Sequence, residues 1–183
     1  GGHFFLIQLY STYMMHQISC MCSHAAGERL TPWKYEIPVG VPPGEVDVVI
    51  DYCGVCGSDV HQIHNAWGSA TYPLVPGHEI IGRVAVLGEG VCHLSVGQRV
   101  GIGVQRSCCD DCDQCSMELE HLCPQIKKTY AGPGNDRGGF ARSIRYDAKW
   151  VFPIPNALLS AEAAPLMCAG VTTYSPIRRF CKA

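Results

Sequence analysis

From Glu45 onward, apolar and polar positions alternate in short bursts. Val46 to Tyr52, Ile80 to Leu87, Arg99 to Val104, Phe140 to Tyr146 and Trp150 to Phe152 carry the β-branched and aromatic residues that suit a pleated, half-buried surface. Glycine and proline punctuate these bursts. Pro42-Pro43-Gly44 and Pro73 to Gly77 read as turns, because proline presets φ and glycine accepts the positive values that tight reversals need. Strands this short, joined by irregular loops, predict a mainly β fold with short helices, a partly open barrel or a sandwich rather than a βαβ sheet. Helical signals come late: Ser160 is placed to cap a short Ala- and Glu-rich helix, and Pro165, Gly170 and Pro176 should break the remaining stretch into pieces. Residues 1–24 stand apart. Gly1 to Cys22 is rich in Met, Tyr, Phe and Gln without a period of two or 3.6, and is read as an atypical N-terminal segment of artefactual origin.

Composition narrows the picture. A chain of 183 residues can bury one sizeable core, or one domain and part of another. The apolar share of 47%, the charged share of 16% and a formal charge of -2 are ordinary for a globular protein and disfavour a polyanion-binding surface, so no nucleic-acid partner is expected. The apolar run Phe4 to Tyr10 lacks the basic flank of a signal peptide, and no run approaches the roughly 20 residues that cross a bilayer. A cytoplasmic protein without a membrane partner is the expectation. Twelve cysteines would suit a disulfide-rich secreted domain, but here they cluster, which favours thiolates on metal in a reducing compartment.

The densest cluster is Cys109, Cys112, Cys115 and Cys123, with two, two and seven residues between successive members. Thiolates two residues apart on a tight turn converge on one tetrahedral Zn²⁺, and four of them leave no open position, so this is a structural zinc site. Using Cys108 in place of Cys109 would widen the first gap to three residues. Asp110, Asp111, Asp113, Glu118 and Glu120 surround the cluster and would repel phosphate, which speaks against a nucleic-acid zinc module. Cys53 and Cys56 have the spacing of a redox pair, and that reading stays open on the motif alone. Cys20, Cys22, Cys53, Cys92, Cys108 and Cys181 read as free thiols or small core residues, and His24, His64, His93 and His121 as surface histidines.

Four motifs then occur in a telling order: Cys56-x-Ser58-Asp59-x-His61, Gly77-His78-Glu79, the four-cysteine lobe, and Ala164-Pro165-Leu166-Met167-Cys168-Ala169-Gly170. From about residue 25 to 183 the chain resembles the zinc-dependent medium-chain alcohol dehydrogenases. Tyr52-Cys53-Gly54-Val55-Cys56, Trp67-Gly68 and Cys168 to Pro176 are similar to the cinnamyl alcohol dehydrogenase branch, NADP(H)-dependent aldehyde reductases. The resemblance implies a GroES-like, partly open β-barrel catalytic domain with two zinc ions per chain. It implies that Cys56, His78 and Cys168 hold a catalytic zinc with Glu79 beside it, leaving a position for substrate oxygen. It further implies Ser58 and His61 as a proton relay, Asp59 as the acceptor that orients His78, Thr172 near the nicotinamide and Trp67 as a pocket wall. The implied reaction is hydride transfer between NADP(H), favoured over NAD(H), and a primary alcohol or aldehyde such as a cinnamyl, other aromatic or aliphatic one. The resemblance implies a homodimer for the full-length form.

The resemblance also implies domains: residues 25–155 as the GroES-like unit with its zinc lobe at 108–124, and 156–183 as a helical connection carrying the third ligand. A dinucleotide-binding unit needs G-x-G-x-x-G between a strand and a helix, and the pairs Gly88/Gly90 and Gly132/Gly134 lack the third glycine. The chain therefore reads as ending before the Rossmann domain. Gly57 stands where relatives carry a larger polar residue able to meet cofactor phosphate. Two rivals accompany this reading: a zinc-binding fragment without catalysis, and a polyol dehydrogenase-type zinc reductase, against which Cys168 argues because that type takes glutamate as its third ligand.

Overall fold

The computed structural model describes residues 14–130 and 136–181. The glycine pair at Gly132 and Gly134 and the run Phe4 to Tyr10 lie outside the described residues. Strands β3 (Glu45–Gly54), β4 (Glu79–Leu87), β5 (Arg99–Ile102), β8 (Ser143–Asp147) and β9 (Val151–Pro153) form one open antiparallel sheet in the order β8-β3-β4-β5-β9. The expected strands are therefore present, with their ends moved by one to three residues. Alternation sets the buried face. Val46 and Val48 of β3, Ile80 and Val84 of β4, Val100 and Ile102 of β5 and Ile144 and Tyr146 of β8 pack with Leu94 and Trp150 into the main core. A mainly β fold with short helices is what the chain adopts.

Two expectations fail. Residues 15–22, assigned no part in the fold, form strand β1 (Met15–Cys22), which pairs antiparallel with β2 (Thr31–Pro38). Ile18, Cys20 and Cys22 of β1 are buried at every second position. That burial is supplied from far away, by Trp33, Tyr35 and Phe140 packed against Cys20, Cys22 and Val75, so a window read alone misses it. The hairpin is stitched to the rest by the Met21 amide to the Phe140 carbonyl at 2.8 Å and by the Ser23 and Leu74 pair.

The second failure concerns the C-terminal helices. The N-cap of α3 (Ser160–Ala163) is Leu159, and the Ser160 hydroxyl instead accepts from Arg99 at 3.2 Å. Ala164–Met167 continues as a 3-10 turn, and α4 (Ala169–Phe180) then runs unbroken through Gly170 and Pro176. Pro176 lacks only the amide that would meet the Thr172 carbonyl. Thr172 is exposed, so water can take that acceptor, and the helix tolerates the proline.

Four more elements were not anticipated: α1 (Gly57–Ile63), α2 (Asp113–Ser116) and the small pair β6 (Gln105–Ser107) and β7 (Lys127–Lys128). Among the described residues no helix is long and apolar enough to cross a membrane.

Candidate metal and substrate site

Cys56 ends the loop after β3 and caps α1. Its backbone is extended, its sulfur accepts from the Ser58 amide at 3.5 Å, and the Asp59 carboxylate returns to its amide at 2.9 Å, a reciprocal arrangement that satisfies helix-end donors. Helix α1 thus fixes Cys56 at its tip and carries Ser58 and His61 three residues apart, on one face.

His78 and Glu79 arrive on the turn into β4. Gly77 has φ +100, and a Cβ there would sit 2.7 Å from the Phe140 ring and 2.9 Å from Cys53 sulfur, so only glycine brings the chain into β4 at this angle. Cys168 comes last, at the head of α4.

The ligand atoms of Cys56, His78, Glu79 and Cys168 lie within 4.8 Å of one another, and the two sulfurs are 3.9 Å apart. Behind them sits Asp59, 1% exposed. It accepts from the Cys56 amide and from the Gly77 amide, each at 2.9 Å, meets His78 Nδ1 at 3.1 Å, and accepts a short hydrogen bond from the Tyr130 hydroxyl. With Nδ1 so engaged, His78 Nε2 is buried and has no partner in the protein. Two thiols, an imidazole nitrogen held in one tautomer and a carboxylate are a donor set that suits Zn²⁺.

Electrostatics agree with the geometry. Burial would raise the Cys56 thiol, but the amide and hydroxyl of Ser58, His78 and Cys168 outweigh it and bring the group below its ordinary value. Burial opposes charge on both members of the His78 and Asp59 pair, yet each holds the other: the imidazole is raised and the carboxyl lowered. Cys168 is pushed up to about 11 by burial and by the neighbouring Cys56 charge, and burial raises Glu79. Thiols this close cannot all ionise without a cation to share.

The second set, Cys109, Cys112, Cys115 and Cys123, also places its ligand atoms within 4.8 Å of one another, with Cys123 to Cys109 and Cys112 to Cys115 each at 3.5 Å. The Asp111 amide chiefly draws Cys109 down to about 7, whereas burial and neighbouring thiols carry Cys115 up to about 11. Cys108 stays outside this set and donates to Asp110 at 3.1 Å. Lys149 answers the acidic rim, reaching Asp110 at 2.5 Å and Glu120 at 3.4 Å.

A cavity of about 140 Å³ opens in front of His78, lined by Ser58, Gln62, Trp67, Lys128 and Tyr130. The His61 ring lies against Trp67, centroids 5.0 Å apart. Thr172 stands one turn beyond Cys168, its amide donating to the Cys168 carbonyl at 3.0 Å. The CxxC reading of Cys53 and Cys56 finds no support: Cys53 turns away, packed against the main core, and burial pushes its thiol up to about 12. Tyr130, Gln62 and Lys128 were missed because they form no motif with the ligands. Tyr130 lies 71 residues from Asp59, and only its place just after the four-cysteine lobe hinted at a role.

Comparison with known proteins adds to this. The alcohol dehydrogenase GroES-like domain model matches residues 42–156. Cinnamyl alcohol dehydrogenase 1 of Medicago truncatula is 43% identical over 155 residues, covering 82% of this chain and 43% of that protein. CAD from Helicobacter pylori, solved in complex with NADP(H), superposes with a TM-score of 0.86 at 31% identity over 90% of this chain and 49% of that one. A cobalt- and zinc-bound thermostable alcohol dehydrogenase from Pyrobaculum aerophilum gives 0.79 at 26% identity, over 92% and 50%. The chain spans under half the length of the curated relative it matches.

Proposed function

The chain belongs to the zinc-dependent medium-chain alcohol dehydrogenase family, on its cinnamyl alcohol dehydrogenase-like branch, and from that premise we propose that it carries the catalytic half of an NADP(H)-dependent aldehyde reductase. Its substrates are small primary alcohols and the corresponding aldehydes, aromatic or aliphatic. The observation that carries this reading is the convergence of Cys56, His78, Glu79 and Cys168 with His78 Nε2 buried and unpartnered.

Cys56, His78 and Cys168 would hold a catalytic zinc with Glu79 beside it, and the four lobe cysteines a structural one. When bound, the catalytic ion supplies Lewis acidity, lowering the pKa of an alcohol and stabilising negative charge on its oxygen. The chain's own residues do the rest. Asp59 engages His78 Nδ1 and so leaves Nε2 for the metal. Ser58 lines that cavity and takes or returns the hydroxyl proton, and His61, exposed three residues on, passes it to solvent. Trp67 holds the organic part of the substrate against one wall. Thr172, one turn beyond Cys168, would lie near the nicotinamide, and the similarity to the Helicobacter pylori protein favours its NADP(H) form.

The test is zinc per chain together with NADPH oxidation by cinnamaldehyde, before and after chelation. Two zinc ions with chelator-sensitive turnover support the proposal in full. Two ions without turnover reduce it to a metal-binding catalytic portion, and none removes it.

A further inference from the structure

The polar groups that line the cavity sort by whether the protein already uses them. The Thr129 hydroxyl is taken by the Gly103 carbonyl at 2.5 Å and the Tyr146 hydroxyl at 2.7 Å. The Tyr130 hydroxyl serves Asp59. Gln62 is 5% exposed and donates to Ser69 at 3.3 Å, which leaves its Oε1 buried without a partner. Ser58, given to the proton relay, and Lys128 remain. Among the described residues the Lys128 ammonium takes part in no ion pair or hydrogen bond.

The backbone of Lys128 is held by the fold, while its side chain is exposed at the edge of the cavity. It pairs with Gln105 across the β6 and β7 ladder, directly after Val104, which lines the same cavity. Nearby acids are engaged elsewhere: Asp59 with His78, Asp136 with Arg106 at 3.3 Å, and Asp110 and Glu120 with Lys149. A small cavity with an aromatic wall, the metal-ligand histidine at its floor and one uncommitted cation asks for a flat body with a negative end. The single ammonium, without an arginine fork, suits one charge, a carboxylate, better than a phosphate.

We propose that Lys128 makes this site selective for aldehydes and alcohols that carry a carboxylate, the acid pairing with Lys128 while the body lies on Trp67. This rests on the reading of the cavity as the substrate site. Binding therefore provides the test, so that it does not depend on turnover. The zinc-loaded chain is titrated with 4-(hydroxymethyl)benzoate and with its neutral methyl ester, followed by tryptophan fluorescence and by calorimetry, at low and high salt.

The acid should bind about five-fold more tightly than the ester at low salt, as for a partly exposed ion pair, and the preference should shrink when salt is added. In Lys128→Met the ratio of the two affinities should fall to about one, whatever the change in ester affinity. Equal binding of the two compounds overturns the proposal, as does a preference that survives Lys128→Met. Failure of both compounds to bind overturns it too. The zinc content measured alongside then tells whether the metal-centre reading falls with it.

Discussion

At Asp59, donors from three separate stretches of chain meet one buried carboxylate: the Cys56 and Gly77 amides and the Tyr130 hydroxyl, with His78 Nδ1 alongside. Each bond removes a freedom from a ligand. The Cys56 contact closes the end of α1, the Gly77 contact fixes the turn before His78, and the His78 contact selects the ring tautomer. Tyr130 steadies the carboxylate itself, and burial with the adjacent Asp59 charge raises its own pKa, so it remains a donor. Tyr130→Phe keeps the ring and removes that bond. The variant should fold normally but hold the metal at the Cys56 site about ten-fold more weakly, measured by competition with a chromophoric chelator, while the four-cysteine lobe keeps its affinity. A wild-type affinity at the Cys56 site would sink this account of Tyr130. The role of Asp59 was legible because it sits in a short motif with Cys56 and Ser58. Tyr130 was not, since nothing local distinguishes it from any buried tyrosine.

Elements differ in how much of their order they carry themselves. Between residues 108 and 124 only Cys123 is buried, and Met117 and Leu122 lie exposed, so the lobe has almost no apolar core. Its short α2 and the left-handed residues Asp110 (φ 58) and Glu118 (φ 59) are conformations such a segment does not hold alone. Metal removal, or Cys112→Ser, should therefore open the lobe to protease cleavage within 108–124 while the five-stranded sheet stays intact, read by limited proteolysis and mass spectrometry. A lobe that still resists protease under chelator contradicts this. The four cysteines could be read from spacing alone because ligand geometry is local. Helix α1 could not, being seven residues long, too short for an apolar period and stabilised by its end contacts and by its place beside the turn at Gly77. The N-terminal hairpin escaped for the opposite reason, since everything that makes β1 a strand lies in β2 and around Phe140.

The whole molecule couples the hairpin, the sheet and the site. Arg145 on β8 donates to both oxygens of Asp47 at 2.7 and 2.8 Å and to the carbonyls of Pro38 and Gly40 at 2.9 and 2.7 Å, tying the end of β2 to the sheet. A buried thiol, Cys20, and a partly buried one, Cys53, give the fold an alkaline limit. Burial chiefly pushes Cys20 up to about 11 and Cys53 up to about 12, from the 9.0 of an unperturbed thiol. Below about pH 9 both states keep these protons. Above it the unfolded chain releases them first, so the folded state binds more protons and stability falls as pH rises towards 11 and 12. The urea midpoint of the zinc-loaded protein should drop between about pH 8 and about pH 10, and Cys20→Ala should flatten the fall. An unchanged midpoint, or an equally steep fall in the variant, would overturn it. By itself the sequence determined the strand-rich class and the grouping of the four lobe cysteines, because strand alternation and thiolate spacing act over a few residues, and resemblance in motif order pointed to the second group. Only the tertiary structure decided that residues 15–22 belong to the fold, that Tyr130 backs Asp59, that α4 passes unbroken through Pro176, and that Lys128 lines the cavity before His78. Those outcomes depend on burial and on partners tens of residues away, which no local window contains.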